Sequence, residues 1–187
     1  DGFTRAIYPE SFKEKKREAI DIMLDHRLNP DDISRTTPPE IEDLIYARSR
    51  GMNRFNILNI VPPPKNPDTR WVLTCSEKAI ADPKFYDYFV GVVRPYVEKL
   101  RKHGLDKLAY VYGFDERPKE FNPVVEAFWK RFQKDVPGIP MMTTAKNYQD
   151  FVRGRIKGPL ACDWFCPTTD AYDVDVSEQL RKEGKKV

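Results

Sequence analysis

The chain has 187 residues, 40 % hydrophobic and 33 % charged, which suits one core beneath a solvated surface. The net charge is only +3, and 32 basic residues are interleaved with 29 acids in runs such as FKEKKRE and LRKEGKK. That pattern belongs to solvated helix faces and argues against a nucleic-acid partner, and no apolar run has the length of a membrane span. Three cysteines, Cys75, Cys162 and Cys166, build no disulfide framework. The spacing of Cys162 and Cys166, with His26 and His103 far off in sequence, suits no metal-binding set, so no cofactor is expected. No signal peptide is visible at the start; a secreted or periplasmic location would need a signal upstream of Asp1.

In chain order, Phe12–Asp25 reads as an amphipathic helix with Ser11 at its N-cap. Leu28–Ile33, bounded by proline and acids, has room for a brief strand. Pro38-Pro39-Glu40 opens a helix that runs to about Arg50 and stops at Gly51. Phe55–Val61 is a strand ended by three prolines. Pro62–Asp82 is a long connection carrying Trp71, either a sugar platform or a ring folded back on the core. Pro83–Lys102 is a second long amphipathic helix. Lys107–Glu116, KLAYVYGFDE, is a buried strand, and Asn122–Asp135 is a helix in which Trp129 falls on the core stripe. Ile139–Ala145 is the next strand, Tyr148–Lys157 a short helix, Leu160–Pro167 a strand and Val176–Glu183 a final helix stopped by Gly184.

Regular alternation of strand and helix predicts an α/β fold with a parallel sheet and right-handed crossovers. Neither GxGxxG nor GxxxxGK[ST] is present, which removes the main support for a nucleotide-binding doubly wound sheet. A (β/α) TIM-like barrel is the expected architecture. The count falls short of eight units, so a truncated portion is expected, about strand 2 to helix 6, with exposed barrel edges through which it could self-associate.

The chemistry is concentrated at Asp115 and Glu116. They close a hydrophobic strand at the end where (β/α) enzymes carry catalytic groups. The plainer reading has Asp115 starting the next connection and Glu116 solvated. The strand AYVYGFDE resembles the catalytic domain of glycoside hydrolase family 123, as do MLDHRLNPDDI and CDWFCPTTDAYD. The resemblance spans most of the chain, and the acidic pair is its most specific element. It implies a retaining hydrolase that removes terminal β-linked N-acetylgalactosamine from a glycan or glycoconjugate, with Asp115 and Glu116 as its catalytic pair.

Adjacent acids cannot flank a sugar as ordinary retaining pairs do, about 5 Å apart from different strands. Neighbours in a strand point to opposite faces, so the two share a pocket only where the strand is already turning. They fit substrate-assisted hydrolysis, in which the sugar's 2-acetamido oxygen is the nucleophile. Following the order of the family's motif, Asp115 holds the acetamide N–H, and Glu116 protonates the leaving oxygen and then activates water.

Supporting candidates are Arg27, Asn59, Tyr112, Asp163, Trp164 and Tyr172. Arg27 could bind sugar hydroxyls or be an exposed helix-end residue. Asn59 is a polar residue at a strand's C-terminal end. Tyr110 and Tyr112 share one strand face, turned either inward or toward the helices. Asp163 in mid-strand must be paired or face a pocket. Trp164 could stack on a sugar or fill a barrel layer, and Tyr172 could reach the acetamide carbonyl. Two other functions compete: a barrel hydrolase of another sugar, and a non-catalytic carbohydrate-binding or inert fragment.

Overall fold

The structure, a computed structural model, describes residue 7 and residues 9–60, 82–117, 119–144, 148–152 and 160–187. Helices α1 (Phe12–Asp25) and α2 (Ile41–Ser49) precede strand β1 (Phe55–Ile60). Then come α3 (Pro83–Lys102), β2 (Ala109–Gly113), α4 (Asn122–Asp135), β3 (Met141–Thr144), α5 (Tyr148–Val152), β4 (Trp164–Cys166) and α6 (Val174–Lys182). The four strands form one open sheet in the order β1-β2-β3-β4, every neighbouring pair parallel. Lys186 adds a parallel bridge beside Trp164: its carbonyl accepts the Phe165 N–H at 2.8 Å, and its N–H donates to the Asp163 carbonyl at 3.0 Å.

Local chemistry explains the helix limits. At α3, the Asp82 carboxylate accepts the Lys84 N–H at 2.9 Å, and Pro83 occupies the first turn. Its last turn carries Lys99, Arg101 and Lys102, which complement the negative end of the helix dipole. α6 begins at Val174, two residues earlier than its apolar pattern suggests, because Asp173 caps it through the Val176 N–H at 3.0 Å. At α1 the Ser11 side chain makes no cap bond; its carbonyl takes the Lys15 N–H instead.

Leu28–Ile33 is not a strand. Leu28 and Ile33 are exposed, so the segment has no apolar face to bury. Its contribution to β1 is made by a side chain: both carboxylate oxygens of Asp31 accept the Asn56 N–H, at 2.9 and 2.8 Å. Farther along, the Arg35 carbonyl accepts the Asn59 N–H at 3.0 Å. The other strands are shorter than expected, since β2 follows a 3-10 turn at Asp106–Leu108 and β4 holds three residues. The connection 62–81 with Trp71 and Cys75, and the stretch 153–157 of the expected short helix, lie outside the described residues.

The sheet has two chemically different faces. Paired residues of parallel strands share a face. Phe55 with Ala109, Val111 with Met141, and Thr143 with Phe165 lie on one side. The apolar members of that set join one core with Phe89, Val93 and Leu100 of α3 and Phe128, Trp129 and Phe132 of α4. Asn56 with Tyr110, Asn59 with Tyr112, Tyr112 with Met142 and Trp164, and Thr144 with Cys166 lie on the other side. Tyr110 and Tyr112 are buried yet stand outside the helix-packed core. β1 reaches this register by a bulge between Asn56 and Asn59. The Asn56 side chain fills the bulge, its oxygen accepting the Leu58 and Tyr112 N–H groups at 3.2 and 3.0 Å.

Gly113 ends β2 against β1. A Cβ there would lie 2.5 Å from the Ile60 Cβ, closer than atoms can pack. Gly113→Ala must therefore push the end of β1 away from β2. The expected cost is about 1–3 kcal/mol, read as a lower denaturant midpoint at unchanged slope; an unchanged midpoint would show that the strand end yields freely. Among the described residues no helix is long and apolar enough to cross a membrane.

Candidate active site

Asp115 and Glu116 follow β2 directly and lie outside it. Phe114 has φ 59° and Glu116 φ 44°, so the backbone enters the left-handed region on both sides of Asp115. Each such non-glycine residue costs about 1–3 kcal/mol and persists only where its surroundings enforce it. The enforcement at Phe114 is visible. Strand alternation would put its ring on the Tyr110–Tyr112 face, but the left-handed turn swings it into the core. There it packs edge-on against Phe128 at 5.2 Å and Trp129 at 5.1 Å. The strand has thus turned before the acids arrive, the condition under which adjacent carboxylates can share one space.

Asp115 comes back over the polar face. Its Oδ1 accepts a hydrogen bond from the Tyr112 hydroxyl at 2.8 Å and another from the Thr144 hydroxyl. The two hydroxyl oxygens are 3.0 Å apart. Burial first, and then the Asp115 carboxylate, push the Tyr112 phenol above the ordinary tyrosine range, so the group stays a donor. The Glu116 N–H is tied to the same threonine, reaching its carbonyl at 3.1 Å and its Oγ1 at 3.3 Å. Both acidic side chains are exposed.

The remaining candidates divide by position. Asn59 is half-buried at the end of β1, in register with Tyr112 and on the same face. Tyr112 is in the site, with its hydroxyl committed to Asp115. Trp164 shares the face but leans toward the opposite end of the strands. Its ring lies 5.3 Å from Tyr110, with the Arg54 guanidinium at 5.7 Å and the Lys186 ammonium at 4.7 Å. Asp163 stands just before β4 rather than in mid-strand, and it is paired: Oδ2 accepts the Met141 N–H at 3.1 Å, and Oδ1 is 3.7 Å from Lys185 Nζ. It joins the starts of β3 and β4 and is not brought to the acids. Tyr172 follows β4 and is exposed; its hydroxyl accepts from Arg181 at 3.1 Å, which holds the phenol below its usual range. Arg27 is exposed at φ 60°. Its neighbour Asn29 binds the Asn53 N–H just before β1, so Arg27 is at the strands' N-terminal end, away from Asp115.

Several neighbours of these residues are not among the candidates that the sequence singles out. Thr144 is one, though a polar residue at a strand's C-terminal end is the same cue that marks Asn59. Asp31 is another. Its Oδ2 accepts from the Tyr110 hydroxyl at 2.7 Å while Arg35 holds Oδ1 at 3.1 Å. Burial, and then Asp31, push the Tyr110 phenol up, so it too remains a donor. Cys166 ends β4 in register with Thr144 and is an exposed free thiol, whereas Cys162 is buried. On the helix side, buried Glu126 accepts the Ala161 N–H at 2.8 Å and fixes the approach to β4; burial pushes its carboxyl up.

A cleft of about 620 Å³ lies between α1, the 30–40 segment and α2, and neither acid lines it. Its two basic residues are paired within it, Lys16 with Asp43 at 2.7 Å and Arg35 with Asp31 at 3.1 Å. It reads as a packing seam, apart from the two acids. Among the described residues no three His, Cys, Asp or Glu side chains converge to hold a metal ion. No protein-family profile matches this chain, and no curated protein matches it.

Proposed function

We propose that the four units belong to a (β/α) barrel glycoside hydrolase. In this reading it removes terminal β-linked N-acetylgalactosamine by substrate-assisted hydrolysis, as the resemblance to glycoside hydrolase family 123 implies. The observation that carries the reading is the turn at Phe114-Asp115-Glu116. Two adjacent acids leave the C-terminal end of a central parallel strand together, one clamped by hydroxyls and both open to solvent. Parallel strands in sequential order support the architecture.

The sugar's acetamide oxygen bonds to the anomeric carbon as the bond to the leaving oxygen breaks. Glu116 gives its proton to that oxygen. Asp115 accepts the acetamide N–H and stabilises the positive charge of the oxazolinium so formed. Glu116, now a carboxylate, takes a proton from water while the water oxygen bonds to the anomeric carbon. The ring opens, the acetamide is restored, and configuration is retained.

The test compares nitrophenyl β-N-acetylgalactosaminide with the matching sugar that has a 2-hydroxyl in place of the acetamide. The acetamido substrate should be hydrolysed faster by roughly a hundredfold or more, because the other lacks the nucleophile. Equal rates would mean that the sugar supplies no nucleophile and that this role for Asp115 is wrong. Turnover of neither, and of no other nitrophenyl glycoside in a panel, would favour the non-catalytic reading.

A further inference from the structure

We propose that Thr144 is the positioning residue of this site: its hydroxyl fixes the Asp115 carboxylate so that Oδ2 is the oxygen presented to the acetamide N–H. The inference rests on the hydrolytic reading above. It starts from an asymmetry. Both hydroxyls that touch Asp115, those of Tyr112 and Thr144, bind Oδ1. Among the described residues Oδ2 makes no hydrogen bond, and the side chain is exposed. An ionised carboxylate is an acceptor only, so an oxygen left open on the solvent side is suited to an N–H donor.

Thr144 is the residue able to fix this choice. It ends β3 on the polar face, in register with Cys166, and the parallel ladder holds its backbone. Tyr112 is itself held in β2, but it belongs to the same strand as the acids, three residues before Asp115. Thr144 comes from the neighbouring strand and therefore supplies an external reference. Its one hydroxyl proton goes to Asp115, while its oxygen and its carbonyl both accept from the Glu116 N–H. One residue thus references the side chain of the first acid and the main chain of the second. Without the hydroxyl, Tyr112 alone would hold Asp115, and a single bond leaves the carboxylate free to swing about it. The carbonyl bond to Glu116 would survive, so the acid should keep its place.

The test uses Thr144→Val, which keeps shape and strand preference but removes the hydroxyl, and Thr144→Ser, which restores it. Thr144→Val should lower kcat roughly ten- to a hundredfold, the size expected for a misplacement of about 1 Å, with KM little changed. The loss should be the same for good and poor leaving groups, because the acid is untouched, and Thr144→Ser should recover most of it. A purely structural role would lower the melting temperature without this split or rescue. A loss confined to poor leaving groups, or unchanged kcat, overturns the proposal. Crystal structures of both variants need no substrate: the Asp115 carboxylate should leave its place in Thr144→Val and keep it in Thr144→Ser. A carboxylate that stays put in Thr144→Val overturns the proposal even where hydrolysis is absent. Absence of hydrolysis by the unaltered chain overturns the glycosidase reading instead.

Discussion

Glu116→Gln should lower kcat on an N-acetylgalactosaminide with a poor leaving group by roughly a hundredfold or more, the range expected for loss of an acid–base group. The same variant should lose much less on a nitrophenyl glycoside, whose leaving oxygen departs with little need of a proton. Asp115→Asn should behave differently. It keeps the size of the side chain but replaces a charge with a dipole where positive charge develops on the oxazolinium. That charge develops as any aglycone departs, so the loss should be similar across the series, again roughly a hundredfold. The contrast is diagnostic because the two residues are neighbours. A general disturbance of the turn would affect both variants alike, whereas a division of roles gives two different dependences on the leaving group. The measurement is a plot of log kcat against leaving-group pKa for the unaltered chain and both variants. Parallel lines for Glu116→Gln and the unaltered chain would remove Glu116 from the acid role.

The fold was legible where apolar spacing dominates. The stripes of Phe12–Asp25, Pro83–Lys102 and Asn122–Asp135 became helices with those limits, because burial of one face outweighs small differences in propensity. The strand runs gave four parallel neighbours in chain order. Reading failed where a side chain replaced the backbone. Leu28–Ile33 has the length of a brief strand, yet the Asp31 carboxylate supplies the acceptor that a strand's carbonyls would. The acids at 115 and 116 could be read from adjacency; their surroundings could not. Asp115 meets Thr144 across 29 positions, and Tyr110 meets Asp31 across 79. No local periodicity encodes a hydroxyl arriving from another strand. Asp163 was read as a carboxylate that is either paired or turned to a pocket; it is paired, and nothing near it in sequence names Met141 as the donor.

The left-handed turn predicts where the site is mechanically vulnerable. Phe114 is 5 % exposed and is held edge-on by Phe128 and Trp129. Phe114→Ala removes the packing that enforces the backbone's unfavourable conformation. The expected loss is about 3–5 kcal/mol, as for other buried Phe→Ala changes. Against a usual total of about 5–15 kcal/mol, that is a large fraction of the stability of such a domain. Phe114→Leu keeps most of the apolar volume and should lose much less, which guards against an alanine variant that does not fold. Urea unfolding of both variants reads the difference as a shift in midpoint. Activity should fall further than stability does, because without the ring the turn can relax toward an extended strand and rotate Asp115 away from Tyr112 and Thr144. The comparison is made where Phe114→Leu is still fully folded. If Phe114→Leu keeps full activity and Phe114→Ala loses less than about 1 kcal/mol, the ring is not what holds the turn, and the enforcement must come from the Glu116 N–H bonds to Thr144 instead.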